Sequence, residues 1–186
     1  MRRPEDRIGI VSAGKSWADT LQALEDLGLD DAALQAQGIR LAKVGLLCPG
    51  DTAFFRDFAE GLHTVIVVEE KRDFLERQVA VGIVGTSVRT LVGKNDARGD
   101  RLFPVQGGMT SDMVAERLAR VLLPLIALPE RGVQRVRYLA QKTANRAATP
   151  RARAPNYCSG CPHNVSTLLA PGQVARGRPV ATCSPR

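Results

Sequence analysis

Aromatic residues make up only 4% of this 186-residue chain: one Trp, two Tyr and five Phe. That scarcity argues against a stacking platform for unpaired bases, because Tyr138 and Tyr157 are the only aromatics in its basic part. Cysteines number four, and their placement excludes a disulfide framework. Cys48 stands alone, and Cys158 and Cys161 are too close in sequence to staple a fold, so thiols or metal ligands are expected. No apolar run approaches a membrane span, and Met1-Arg2-Arg3-Pro4-Glu5-Asp6 is not followed by a signal-peptide apolar region. A cytoplasmic protein is the expectation. With two histidines, His63 and His163, no serine–histidine–acid arrangement can be argued, and His63 reads as a helix-end residue.

Acidic residues are missing from the last part of the chain. All 19 lie at or before Glu130, together with 16 of the 26 basic ones, so residues 1–130 carry −3 and residues 131–186 carry +10. A basic arm for nucleic acid would look like this. A solvated basic linker helix fits better, since the stretch is nearly free of aromatics.

What is present is an alternation of short apolar strands and amphipathic helices. Thr64-Val65-Ile66-Val67-Val68 is five β-branched residues, suited to a strand buried on both faces. The charged run Glu69-Glu70-Lys71-Arg72-Asp73 marks its exit, and Phe74, Leu75, Gln78 and Val79 resume at helical spacing. Before it, Arg7 to Gly14 is a strand, followed by a helix with Trp17, Leu21, Leu24 and Leu27 on one face and Gly28 at its stop. Asp30 to Gln37 is a short helix closed by Gly38, and Ile39 to Leu47 is a strand ended by Cys48-Pro49-Gly50. Asp51 caps a helix with Phe55, Phe58, Ala59 and Leu62 inward. Val88 to Val92 is a fourth strand, Gly93 to Asp100 a polar loop. Thr110 or Ser111 then starts a helix striped by Val114, Leu118, Val121 and Leu125, its regularity limited by Pro124.

Residues 7–128 therefore read as an α/β fold, a three-layer α/β/α sandwich on a mainly parallel sheet. Right-handed crossovers permit the strand order Ile39, Arg7, Thr64, Val88, with a crevice beyond Gly14 and Glu69 at the switch point. Residues 129–155 read as a basic helical linker and residues 156–186 as an irregular tail, too short for a domain.

Three motifs carry chemistry. Gly9-Ile10-Val11-Ser12-Ala13-Gly14-Lys15-Ser16 matches the phosphate-loop letters. Its middle is the strand itself, however, so the loop that curls around phosphates has no room to form. Glu69 and Glu70 at a strand end point to opposite faces and read as a polar rim neutralised by Lys15, Lys71 and Arg72, rather than as a catalytic pair. Cys158-Ser159-Gly160-Cys161 puts two thiolates within reach of one metal atom or one edge of an iron–sulfur cluster. Zinc, with His163 and Cys183, ranks second, and idle thiols third. A redox dithiol is disfavoured because no thioredoxin-like strand leads in.

Blocks in order add a resemblance. Arg7 to Lys15, Ile39 to Gly45, Val67 to Arg72, Val92-Gly93-Lys94, and Cys158 to Asn164 resemble indolepyruvate ferredoxin oxidoreductase, especially its long fused bacterial form, over about residues 7–172. The resemblance implies a domain similar to the carboxy-terminal domain of transketolases, with an antiparallel edge strand upstream of Met1, and then the start of a thiamine diphosphate-binding domain. It implies an enzyme that uses thiamine diphosphate, magnesium and iron–sulfur clusters to decarboxylate aryl 2-oxo acids, with coenzyme A and ferredoxin as partners.

It further implies that this segment is a scaffold, inactive alone, completed by other domains or subunits, with Cys158 and Cys161 as cluster ligands or residues bordering the thiamine site. A nucleotide-binding protein or a basic-tailed nucleic-acid module is the alternative. Downstream of Gly172 the text departs from the family, so a truncated or frameshifted reading is expected and Cys183 is not assigned as a ligand.

Overall fold

The computed structural model describes residues 3–144, 157–166, 168 and 170–172. The chain divides into two units, residues 1–145 and 146–186. In the first, strands β1 (Ile8–Ala13), β2 (Ile39–Val44), β3 (Thr64–Val68) and β4 (Thr90–Val92) form one all-parallel sheet in the order β2-β1-β3-β4. This is the α/β sandwich read from the alternation, in the strand order that right-handed crossovers permit and the family resemblance suggests. The register runs Ile8 to Ile39 and to Thr64, and Thr64 to Thr90. The β-branched run of β3 is buried at every position.

The two faces of the sheet bury different sets, as the period-two alternation of strands requires. Ile8, Ile10, Ile66, Val68 and Val92 pack with helices α1 (Gly14–Asp26) and α5 (Ser111–Leu122). Val11, Val65 and Val67 pack with α3 (Thr52–Ala59) and α4 (Phe74–Gly82) through Phe55, Phe58, Leu62, Leu75 and Val79. A side chain at Gly9 would come within 2.5 Å of Leu62 and 2.7 Å of Phe58, so glycine is what lets this layer lie close to β1. Helix α2 (Asp31–Ala36) packs on β2.

Caps fall where the sequence puts them. The carboxylates of Asp30 and Asp51 accept from Ala33 N and Phe54 N, and the Thr110 hydroxyl accepts from Met113 N. Such caps are worth about 1 kcal/mol each.

Four details differ from the periodic reading. The fourth strand begins at Thr90, where pairing with Thr64 starts, because Thr86 and Ser87 are tied to Ile83 and to Leu62. Helix α1 buries Ser16, Thr20, Ala23 and Leu24, whereas Leu21 is exposed. Small residues give α1 close approach to α5, a stripe that hydrophobicity alone does not show. Helix α5 ends at Leu122, just short of Pro124, which leaves Leu125 exposed instead of on the buried stripe.

Most consequential of the four, the stretch read as a basic helical linker is helical in its first half as read, α6 (Glu130–Ala144), but that helix is docked. Leu139 is buried in the α1–α5 core, a burial worth about 1.5–3 kcal/mol. A side chain at Gly132 would overlap the backbone of Leu27. Arg135 reaches Asp26 and Asp112 at 2.7 Å, and Lys142 reaches Asp112 at 2.6 Å. The basic charge of α6 is thus partly matched by acids of the sandwich. The remainder of that stretch, 145–155, lies outside the described residues.

Among the described residues no helix is long and apolar enough to cross a membrane.

Candidate functional site

In an open parallel sheet the place to look is the carboxyl edge at the switch point, here the ends of β1 and β3. Lys15 leaves β1 on the first turn of α1. Glu69 and Glu70 follow β3, and Lys94 follows β4. The sequence brings these charges together, but each is engaged by the chain's own groups.

The Glu69 carboxylate accepts from Leu75 N at 2.7 Å and Glu76 N at 3.0 Å, closing the amino end of α4. Burial pushes the Glu69 carboxyl up, opposed by these two N–H groups and by Lys94. The Glu70 carboxylate accepts from Met109 N at 2.8 Å and lies 3.5 Å from the Lys15 ammonium. The Met109 N–H, helped by Lys15, holds Glu70 below the usual glutamate range. Lys15 itself is raised, first by its hydrogen bond to Asp19.

Three lysines from three elements then fasten the segment Pro104 to Met109 across this edge. Lys15 Nζ donates to Met109 O at 2.9 Å, and Lys71 Nζ donates to Gly107 O. Lys94 Nζ donates to Glu69 O at 2.5 Å and reaches Pro104 O at 3.5 Å. Burial pushes the Lys94 ammonium down. Val105 to Gly108 form an exposed arch between the buried anchors Phe103 and Met109. The expected crevice beyond Gly14 and Glu69 is therefore crossed by the protein's own chain.

Of the expected neutralising groups, Lys15 meets Glu70, while Lys71 turns to the arch. Lys94 was not foreseen as a partner of Glu69. Its signal was its place directly beyond a strand neighbouring β3, inside a stretch that composition marks only as polar loop. His63 lies exposed at the start of β3 and serves through its backbone, accepting from Arg89 N and Thr90 N. The phosphate-loop letters form no loop, since Gly9 to Ala13 belong to β1.

The second unit holds the cysteine motif. Cys161 N donates to Cys158 O at 3.0 Å across a turn in which Gly160 takes φ 76°, a left-handed conformation that glycine holds without cost. Asn164 Nδ2 also donates to Cys158 O, at 3.0 Å. Cys158 is exposed and Cys161 half-buried. His163, the first residue of the one-turn helix α7 (His163–Ser166), places Nδ1 3.3 Å from Cys161 Sγ and stacks on Tyr157.

Two thiols on one tight turn suit part of a cluster or metal coordination sphere. Among the described residues no group of three or more His, Cys, Asp and Glu side chains is placed to hold a metal. Cys183 lies outside the described residues.

Comparison with known proteins bears on all of this. Indolepyruvate oxidoreductase subunit IorA of Pyrococcus horikoshii is 26% identical over 181 residues, 95% of this chain and 24% of the relative. Its namesake from Pyrococcus abyssi is 27% identical over 178 residues, again 95% of this chain and 24% of the relative. That of Archaeoglobus fulgidus is 28% identical over 160 residues, 86% of this chain and 22% of the relative. The chain thus spans about a quarter of the length of the curated relatives it matches. The sequence profile of the indolepyruvate oxidoreductase domain matches residues 1–146, taking in the whole sandwich and α6, and the chain belongs to that family.

Proposed function

We propose that this chain is the scaffold segment of a 2-oxo acid:ferredoxin oxidoreductase acting on indolepyruvate, and that it carries no catalytic group of its own. Chief support comes from the carboxyl edge of the sheet. The charged side chains there that would serve a cofactor or substrate are Lys15, Glu69, Glu70, Lys71 and Lys94, and they hold the arch and the amino end of α4 instead. Two backbone N–H groups of α4 fix the orientation of the Glu69 carboxylate, and one of the arch fixes that of Glu70.

In the complete enzyme, thiamine diphosphate and magnesium would be held by other domains or subunits. Coenzyme A and ferredoxin would be the acyl acceptor and the electron acceptor. Cys158 and Cys161 fit two positions of an iron–sulfur cluster, the remaining ligands coming from elsewhere in the assembly, and such a cluster supplies one-electron transfer. What this chain contributes there is a turn, closed by Asn164 and Gly160, that presents both sulfurs from one short segment. The cytoplasm, where thiols stay reduced, is the proposed compartment.

The test is turnover of indolepyruvate by residues 1–186 with thiamine diphosphate, magnesium, coenzyme A and ferredoxin, before and after anaerobic iron–sulfur reconstitution. No turnover and less than one cluster per chain are expected. Turnover by this chain alone would refute the scaffold assignment.

A further inference from the structure

At the opposite end of the sheet from the arch, the amino ends of β3 and β4 frame a cleft of about 380 Å³, within the range of small-molecule sites. Its floor is made by Thr64 and Thr90, the first residues of the two strands and direct partners across the ladder. Alternation puts both on the face that carries Ile66 and Val92. Thr64 is 9% exposed. Among the described residues, neither threonine hydroxyl has a hydrogen-bonding partner, and both residues line the cleft.

The wall opposite is apolar. Because α5 stops short of Pro124, the chain turns there, with Leu125 N and Ile126 N both bonded to Leu122 O. That turn sets Leu125 against the cleft at 48% exposure, beside Val121. At the rim, Arg120 Nη2 donates to Asp96 Oδ2 at 3.0 Å. Among the described residues this is the one side-chain bond Arg120 makes, out of five guanidinium N–H donors. Arg98 is held more loosely, 3.8 Å from Asp96 and 3.9 Å from Asp100.

We propose that this cleft at the open edge of β4 binds a small aliphatic or aryl monocarboxylate, with its acid group on Thr64, Thr90 and Arg120 and its apolar body against Val92, Val121 and Leu125. Two neighbouring hydroxyls and a guanidinium with free donors match the two oxygens of a carboxylate. Asp96 at the rim repels a dianion such as a phosphate monoester more strongly than a monoanion. The apolar wall gives a purely inorganic anion nothing to cover. The cleft shares no lining residue with the charged groups of the carboxyl edge, and the proposal does not depend on the scaffold assignment.

Phenylacetate and phenylacetamide, the same apolar body with and without the charge, are the probes. In a ¹H–¹⁵N titration of residues 1–186, phenylacetate is expected to give saturable shifts at Thr64, Thr90, Arg120 and Leu125, with the amide at least about tenfold weaker. Thr90→Val keeps shape and β-branching, so it should leave the melting temperature unchanged while weakening phenylacetate by about tenfold. Arg120→Gln should weaken it by at least as much. Absence of saturable shifts, shifts confined to other residues, equal affinity for acid and amide, or unchanged affinity in both variants would each overturn the proposal.

Discussion

The two ends of the sheet use polar side chains in opposite ways. At the carboxyl ends of β1 and β3, ammonium and carboxylate groups are engaged by the backbone of the same chain, and the Pro104–Met109 segment closes the position where an open parallel sheet usually meets its ligand. At the amino ends of β3 and β4, two hydroxyls and most of a guanidinium face a cleft without a partner among the described residues. What separates the ends is whether polar groups are already satisfied, because a satisfied buried group stabilises structure and an unsatisfied one favours a ligand.

Substitutions can break that contrast, the largest effect being expected at Lys94. Lys94→Met removes a buried donor from Glu69 O and Pro104 O, and should cost about 3 kcal/mol, read from urea unfolding. A loss below about 0.5 kcal/mol would mean that the arch is not fastened there. Next comes Leu139→Ala, expected to cost about 2 kcal/mol and to raise amide exchange throughout α6. An unchanged midpoint would return α6 to the role of a free linker.

Glu70→Gln should cost about 1 kcal/mol near neutral pH. Because folding lowers the Glu70 value, its contribution is present above the ordinary glutamate range and is lost as pH falls through the folded value. Glu69 has the opposite sign. Folding raises its value, so its contribution is present at low pH and is lost as pH rises through the folded value. Urea midpoints for Glu70→Gln and Glu69→Gln against pH should therefore deviate from the parent curve in opposite directions, and deviations of the same sign would show that the contacts of Glu69 outweigh its burial. The smallest stability effect is expected for Thr90→Val, within about 0.5 kcal/mol, since its hydroxyl bonds to no described residue.

Much of this architecture follows from the sequence by simple physics. The β-branched run at Thr64 marks the central strand. Asp30, Asp51 and Thr110 mark helix starts, and right-handed crossovers leave few strand orders. The α1 face was harder, because close packing there uses Ser16, Thr20 and Ala23, which carry no hydrophobic signal. The docking of α6 was hidden by its charge. Its anchors are one leucine, one glycine and two basic residues whose acidic partners lie far away in sequence.

At the candidate site, Glu69, Glu70 and Lys15 stood out as a rim, yet their partners are backbone groups of Leu75, Glu76 and Met109, which no side-chain pattern announces. The tight turn joining Cys158 and Cys161 follows from their spacing and from Gly160. The Thr64–Thr90 cleft was not legible in this way, because it depends on the strand register and on where α5 ends.

The same closure of the carboxyl edge predicts that the phosphate-loop letters of Gly9 to Ser16 bind nothing. Equilibrium dialysis with magnesium and ATP should show no micromolar binding, and micromolar binding lost on Lys15→Ala would overturn the strand assignment of those residues.

The most direct test of a closed, non-catalytic edge is calorimetric titration of folded residues 1–186 with magnesium thiamine diphosphate. With Glu70 held by Met109 and Glu69 closing α4, no saturable heat is expected. Saturable binding that disappears in Glu70→Gln, with the melting temperature otherwise accounted for, would show instead that this edge is a working cofactor site.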